Sequence, residues 1–145
     1  IVASGYHLTN NYLSGIEVNT SKTNLENKLK TIYNGLTVTS LKDKYGNNKN
    51  DALATGDVVT ISNSKDSKEY KVVIYGDNNG DGNTSIIDLL RCQKYLLGNN
   101  NLSDAELIAS DVDRDGLITV VDLLRLQKSL LGYSKIEQKW DDLND

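Results

Sequence analysis

The chain has 145 residues, 38% hydrophobic and 25% charged, with a formal net charge of −4, as expected of a soluble globular protein with one ordinary domain or two small ones. No apolar run is long enough to cross a bilayer, and one cysteine (Cys92) with one histidine (His7) excludes an intrachain disulfide and a Cys-based zinc site and leaves little for a Ser/His/Asp or Cys/His nucleophile. Residues 1–75 hold nine Lys/Arg against seven Asp/Glu, whereas residues 76–145 hold seven against thirteen, so a net of +2 is followed by a net of −6; such an acidic half disfavours nucleic acid, whose phosphates need clustered Lys/Arg, and favours a cation.

In chain order, Tyr6–Thr9 and Tyr12–Ile16 read as short strands. Thr23–Glu26 is T-x-x-E, the pattern of a capping box, and Leu25, Leu29, Ile32 and Tyr33 follow at helical spacing. Leu36–Leu41, Asp57–Ser62 and Glu69–Tyr75 read as strands rich in β-branched and aromatic residues. Between them, Gly46–Asp51 is a polar loop and Asn63–Lys68 a hairpin turn. The expectation for residues 1–75 is a small β-rich module with one helix. With no Met at position 1, the chain reads as a fragment or a mature C-terminus.

A repeat begins at Asp77. DNNGDGNTSIIDLLRCQKYLLG (77–98) aligns without gaps on DVDRDGLITVVDLLRLQKSLLG (111–132), with 12 of 22 positions identical at an offset of 34. The boundary is therefore placed near Gly76. Each repeat opens with a twelve-residue acidic loop and runs into a helix, Ile87–Leu97 or Val121–Leu131, ended by Gly98 or Gly132 in the place of a left-handed cap. Ser103–Ser110 reads as a connecting helix, with Ser103 and Glu106 as its capping box. Overall the class is α+β: residues 1–75, then a helical repeat unit over 76–133, then a polar tail, 134–145, that carries Trp140.

The loop residues fall at calcium-ligand spacing. Calcium takes about six to eight oxygens, which an EF-hand loop supplies from positions 1, 3, 5, 7, 9 and 12, with Gly at 6. Here those positions are Asp77, Asn79, Asp81, Asn83, Ser85 and Asp88, then Asp111, Asp113, Asp115, Leu117, Thr119 and Asp122, with Gly82 and Gly116 at position 6. Position 7 needs only a carbonyl, and Ser85 and Thr119 suit a water-mediated contact. Two such loops imply two ions. At an effective dielectric of 20, like charges about 4 Å apart repel by roughly 4 kcal/mol, so each unit is expected to need calcium to fold. Two features depart from a calcium sensor: Asp rather than Glu at position 12, and YKVVIY (70–75), which looks like a strand, where an entry helix would stand.

Two loop–helix units 34 residues apart, Asp at position 12, an L-L-x-x-Q-K-x-L-L-G helix and a short helix between the units resemble the dockerin family. The resemblance covers residues 77–132. It implies a non-catalytic, calcium-dependent plug that binds a cohesin module and tethers a secreted bacterial protein, typically a polysaccharide-degrading enzyme, to a scaffold such as a cellulosome. Residues 1–75 more loosely resemble the small X modules that precede dockerins. The family places partner contacts at loop positions 10 and 11 and on the outer helix face, here Ile86, Ile87, Arg91, Lys94 and Tyr95, and Val120, Val121, Arg125, Lys128 and Ser129. Leu89, Leu90, Gln93, Leu96 and Leu97 gather on the opposite face of the first helix, where a core is expected. The near-identical faces suggest two equivalent binding modes, though Tyr95 against Ser129 and Cys92 against Leu126 break the symmetry. The competing readings are a calcium sensor and an enzyme within residues 1–75.

Overall fold

The computed structural model describes residues 2–99 and 101–141. Among these described residues the fold is α+β, with a six-stranded sheet in the order β1-β2-β3-β6-β5-β4 and four helices. The strands are β1 (Val2–Ala3), β2 (Tyr6–Leu8), β3 (Tyr12–Ser14), β4 (Thr37–Lys42), β5 (Val58–Ser62) and β6 (Ser67–Val72), and α1 is Lys22–Ile32. All neighbouring strands run antiparallel except β3 and β6, which pair in parallel at Tyr12–Lys71 and Leu13–Val72. The rest is helical: α2 (Ile86–Leu96), α3 (Asp104–Ser110) and α4 (Val120–Leu130).

Several local readings need correction. The N-cap of α1 is Ser21, whose hydroxyl accepts the Asn24 amide at 3.1 Å, not Thr23. Glu26 reaches instead to the sheet edge, accepting the Val38 amide at 2.7 Å, so it covers a donor of edge strand β4. Tyr33 is the C-cap of α1 and 60% exposed, while Leu25 and Leu29 are fully buried. Strand β6 ends at Val72 rather than Tyr75, because the Ile74 N–H donates to the Thr55 hydroxyl, which donates back to the Ile74 carbonyl. The hairpin turn is tighter than expected, closed by Asn63, whose side chain accepts the amides of Lys65 and Asp66.

Two apolar clusters stabilise the molecule. The first lies between the sheet and α1, with Leu13, Ile16, Leu25, Leu29, Leu53, Val59 and Val72 at its centre. The second joins Val73 and Tyr75 to Cys92, Ala105, Ala109, Val112 and Leu126 of the helical part, with Tyr12, Ile136 and Trp140 at its border. The core thus continues across the position where the repeat begins.

The helix faces differ from the leucine-stripe expectation. In α2 the buried side chains are Asp88 and Cys92, with Leu89 and Leu96 partly buried beside them. Leu90 is 46% and Leu97 81% exposed, and Gln93 is exposed. Helix α4 repeats this, with Asp122 and Leu126 buried and Leu124 and Leu131 exposed. The reason is that the first-turn aspartate must face back into its own loop. That sets the rotation of each helix and carries the residue four positions on, Cys92 or Leu126, into the core. The leucine pairs span too wide an arc for hydrophobicity alone to choose the face. Both helices end on a left-handed glycine, Gly98 (φ 101°) or Gly132 (φ 80°), whose successor's amide bonds back to Lys94 or Lys128.

Candidate metal centres

Each acidic loop is wound around its own carboxylates. In the first, Asp77 accepts the amides of Gly80 and Asp81 (both 3.1 Å) through Oδ1 and that of Gly82 (2.9 Å) through Oδ2. Asp88 accepts the amides of Asn78 (2.8 Å) and Asn79 (3.0 Å) through Oδ1, and that of Ser85 (2.7 Å) through Oδ2. Asp88 is therefore both the twelfth loop residue and the acid of a capping box with Ser85, the N-cap of α2. Thr119 and Asp122 do the same for α4. Position 9 thus has a capping role beyond its expected ligand role, and both helices start one residue earlier than their spacing suggested. The signal was in the sequence, as S-x-x-D and T-x-x-D before each apolar run.

The carboxylates converge. Ligand oxygens of Asp77, Asp81 and Asp88 lie within 4.8 Å of one another, as do those of Asp111, Asp113, Asp115 and Asp122. Asn79 Nδ2 donates to Asp81 at 3.3 Å, which brings the third position into the first group. Burial pushes Asp77 and Asp111 up to about 6, in Asp77 against amides that favour the charged form and with the charge of Asp88 adding to the rise. Burial also raises Asp88 and Asp122. Asp111 Oδ1 is buried with no hydrogen-bond partner. Oxygen-only donors, several of them anionic, with one orphaned lone-pair site, fit a hard divalent cation such as calcium. Asp77, Asn79, Asp81 and Asp88 would hold it in the first loop and Asp111, Asp113, Asp115 and Asp122 in the second, and its charge would offset the crowding of the carboxylates. Asn83 and Leu117 are exposed, and their amides donate to Asp81 and Asp115.

The two loops are braced by different segments, which the sequence did not reveal. The first is packed on the sheet module: the Thr55 amide donates to Asp77 Oδ2 at 3.1 Å, and Lys44 Nζ donates to the Asn79 carbonyl at 3.1 Å. Gly80, at φ 77°, lies so close that a Cβ would stand 2.7 Å from the Thr55 carbonyl oxygen. The second loop carries Arg114 at the equivalent position, at φ 60°. Its guanidinium stacks on the rings of Tyr75 (4.5 Å) and Trp140 (4.6 Å), and donates to the carbonyls of Glu137 and Lys139.

The tail is correspondingly tied to the sheet module. Trp140 donates Nε1–H to Ser14 (3.0 Å) and its amide to the Gly5 carbonyl (2.9 Å), with its ring 4.4 Å from that of His7. Buried Gln138 pairs with both backbone groups of Tyr75. Trp140→Ala should therefore lower unfolding stability by about 2–3 kcal/mol, read by chemical denaturation followed by circular dichroism. A loss below about 0.5 kcal/mol, the range of ordinary surface changes, would mean the tail adds nothing.

Of the residues implied as partner contacts, Ile86 (56%), Ile87 (51%), Val120 (68%) and Val121 (45%) are exposed, together with Lys94, Arg125 and Lys128. Tyr95 and Ser129 are half-buried. Arg91 is half-buried and engaged within the molecule: its Nη2 donates to Glu106 at 2.8 Å. Leu90, read as core, and its repeat mate Leu124 join the exposed faces.

Residues 75–131 match the family model described as the dockerin type I domain. No curated protein and no solved structure matches the chain. Dockerin domains bind calcium and cohesins and are non-catalytic modules.

Proposed function

We propose, with the dockerin type I match over residues 75–131 as the premise, that this chain docks its parent protein onto a cohesin of a scaffold or cell-surface protein, as in a cellulosome. Two calcium ions, one per loop, hold α2 and α4 in the docking geometry. The observation that carries this reading is the double use of Asp88 and Asp122, each facing an acidic cluster and capping the next helix. Order in the loop and order in the helix are thereby the same event, and each ordered helix presents an exposed aliphatic pair at its start. The setting is extracellular and bacterial, and the parent protein acts on polysaccharide; no helix among the described residues is long and apolar enough to cross a membrane. Residues 1–75, an X-module-like partner, brace the first loop through Thr55 and Lys44 and carry no catalysis.

The test is a calcium-dependent pulldown against a panel of cohesins, with elution by EGTA. Retention of at least one cohesin in calcium and its release in EGTA are expected. Retention of none, with capture of amphipathic helical peptides instead, would move the assignment to a calcium sensor that opens a groove.

A further inference from the structure

The two repeats present nearly equal apolar faces. Ile86, Ile87 and Leu90 of the first are 56%, 51% and 46% exposed; Val120, Val121 and Leu124 of the second are 68%, 45% and 47%. Their charges are not equal. Arg91 Nη2 donates to Glu106 Oε1 at 2.8 Å, Glu106 Oε2 lies 4.0 Å from Lys44 Nζ, and the same Glu106 Oε1 accepts the Ser103 amide that starts α3. The Arg91 side chain is 30% exposed and that of Glu106 11%. Releasing Arg91 to a partner would leave a mostly buried carboxylate short of its main cation.

Its repeat mate Arg125 has no such hold. It is exposed and has no hydrogen-bond or ion-pair partner among the described residues, and the same is true of Lys128. The position equivalent to Glu106, 34 residues on, is Trp140, so the acid that quenches the first face is missing from the second. Beside Arg125 and Lys128 lies a cleft of about 280 Å³ between α4 and the tail, also lined by Lys135, with Glu137 as its one acid. Lys135 makes only an exposed pair with Glu17, at 3.7 Å.

We infer that docking is one-sided: the α4 face, with Arg125 and Lys128 free beside an exposed aliphatic patch, receives a cohesin surface that carries carboxylates around an apolar centre. The α2 face, its arginine engaged with Glu106, keeps Lys94 as its free cation and binds more weakly. Free cations of one sign steer and fix the register of an oppositely charged partner, whereas a cation already paired in the monomer contributes little to either. This inference rests on the docking reading above and decides which of two similar surfaces is used.

The experiment takes the full chain in calcium and a cohesin retained by the pulldown, and measures affinity by calorimetry. Val121→Asp with Arg125→Ala is expected to weaken binding about a hundredfold or more, and Ile87→Asp with Lys94→Ala by about threefold or less. Lys128→Glu against Lys94→Glu repeats the comparison on side chains that hold nothing in the fold. Adding Glu106→Gln, which keeps an oxygen for the Ser103 amide but removes the negative charge that holds Arg91, should recover about tenfold in the variant with the disabled α4 face. Equal losses from the two faces, a larger loss from α2, or no recovery with Glu106→Gln overturns the inference while leaving docking intact. If no cohesin binds the unaltered chain, the docking reading fails and this inference fails with it.

Discussion

Chelating calcium is expected to loosen α2 and α4 and to lower the thermal midpoint of the whole chain by well over 10 °C. At a calcium concentration about a thousandfold above Kd, one site that exists only in the folded chain contributes about 4 kcal/mol. Two sites would contribute about 8 kcal/mol, comparable with the entire stability of an ordinary domain, about 5–15 kcal/mol. Without the ion, four carboxylate groups of the second loop remain within 4.8 Å of one another, with Asp111 Oδ1 buried and unpartnered. The second loop also holds Arg114 against Trp140, so the only tryptophan should report its loosening. The measurements are far-UV circular dichroism, thermal melts and tryptophan emission in EGTA and in millimolar calcium. Identical melts in the two buffers would show that the loops are acidic turns and not metal centres.

The second large effect is expected from Asp88→Ala, and it separates two roles that share one carboxylate. Asp88 is fully buried and accepts three amides, those of Asn78, Asn79 and Ser85. A buried amide left unbonded costs about 1–3 kcal/mol, and loss of a capping side chain costs about 1 kcal/mol. The variant should therefore be destabilised by about 2–3 kcal/mol even in EGTA, and by more in calcium, where a ligand is lost as well. Asp81→Ala is the contrast. Asp81 is exposed and accepts from Asn79 Nδ2 and the Asn83 amide. Its loss should matter in calcium and hardly at all in EGTA. Equal destabilisation of the two variants in EGTA would remove the capping role assigned to Asp88.

Much of the site was legible in the chain because its chemistry is local. A loop of twelve residues brings its carboxylates together by its own turns, so the spacing of Asp77, Asp81 and Asp88 suffices to group them, and a repeat at offset 34 groups the second set. Where reading from spacing failed, two local solutions competed. Thr23 and Ser21 are both good N-caps, and Glu26 looked committed to Thr23 until the edge of β4 supplied a stronger claimant, the Val38 amide. Likewise YKVVIY has the alternation of one long strand, but the Thr55 hydroxyl takes both backbone groups of Ile74 and ends the strand at Val72.

What the sequence determined by itself is the pair of acidic loops, their exiting helices and the glycines that stop them, since each is specified by contacts within one turn or one loop. Tertiary structure alone decided the rest. It turned Leu90 and Leu124 outward, because a buried aspartate rather than a leucine stripe sets each helix rotation. It placed Thr55 and Lys44 on the first loop and Trp140 against the second, contacts spanning 22 residues or more that no local periodicity encodes. It also paired Arg91 with Glu106 and left Arg125 without a partner among the described residues, so two segments alike in sequence present different surfaces. A repeat is equal only in what it supplies itself; its neighbours differ, and packing against them is where the two halves part.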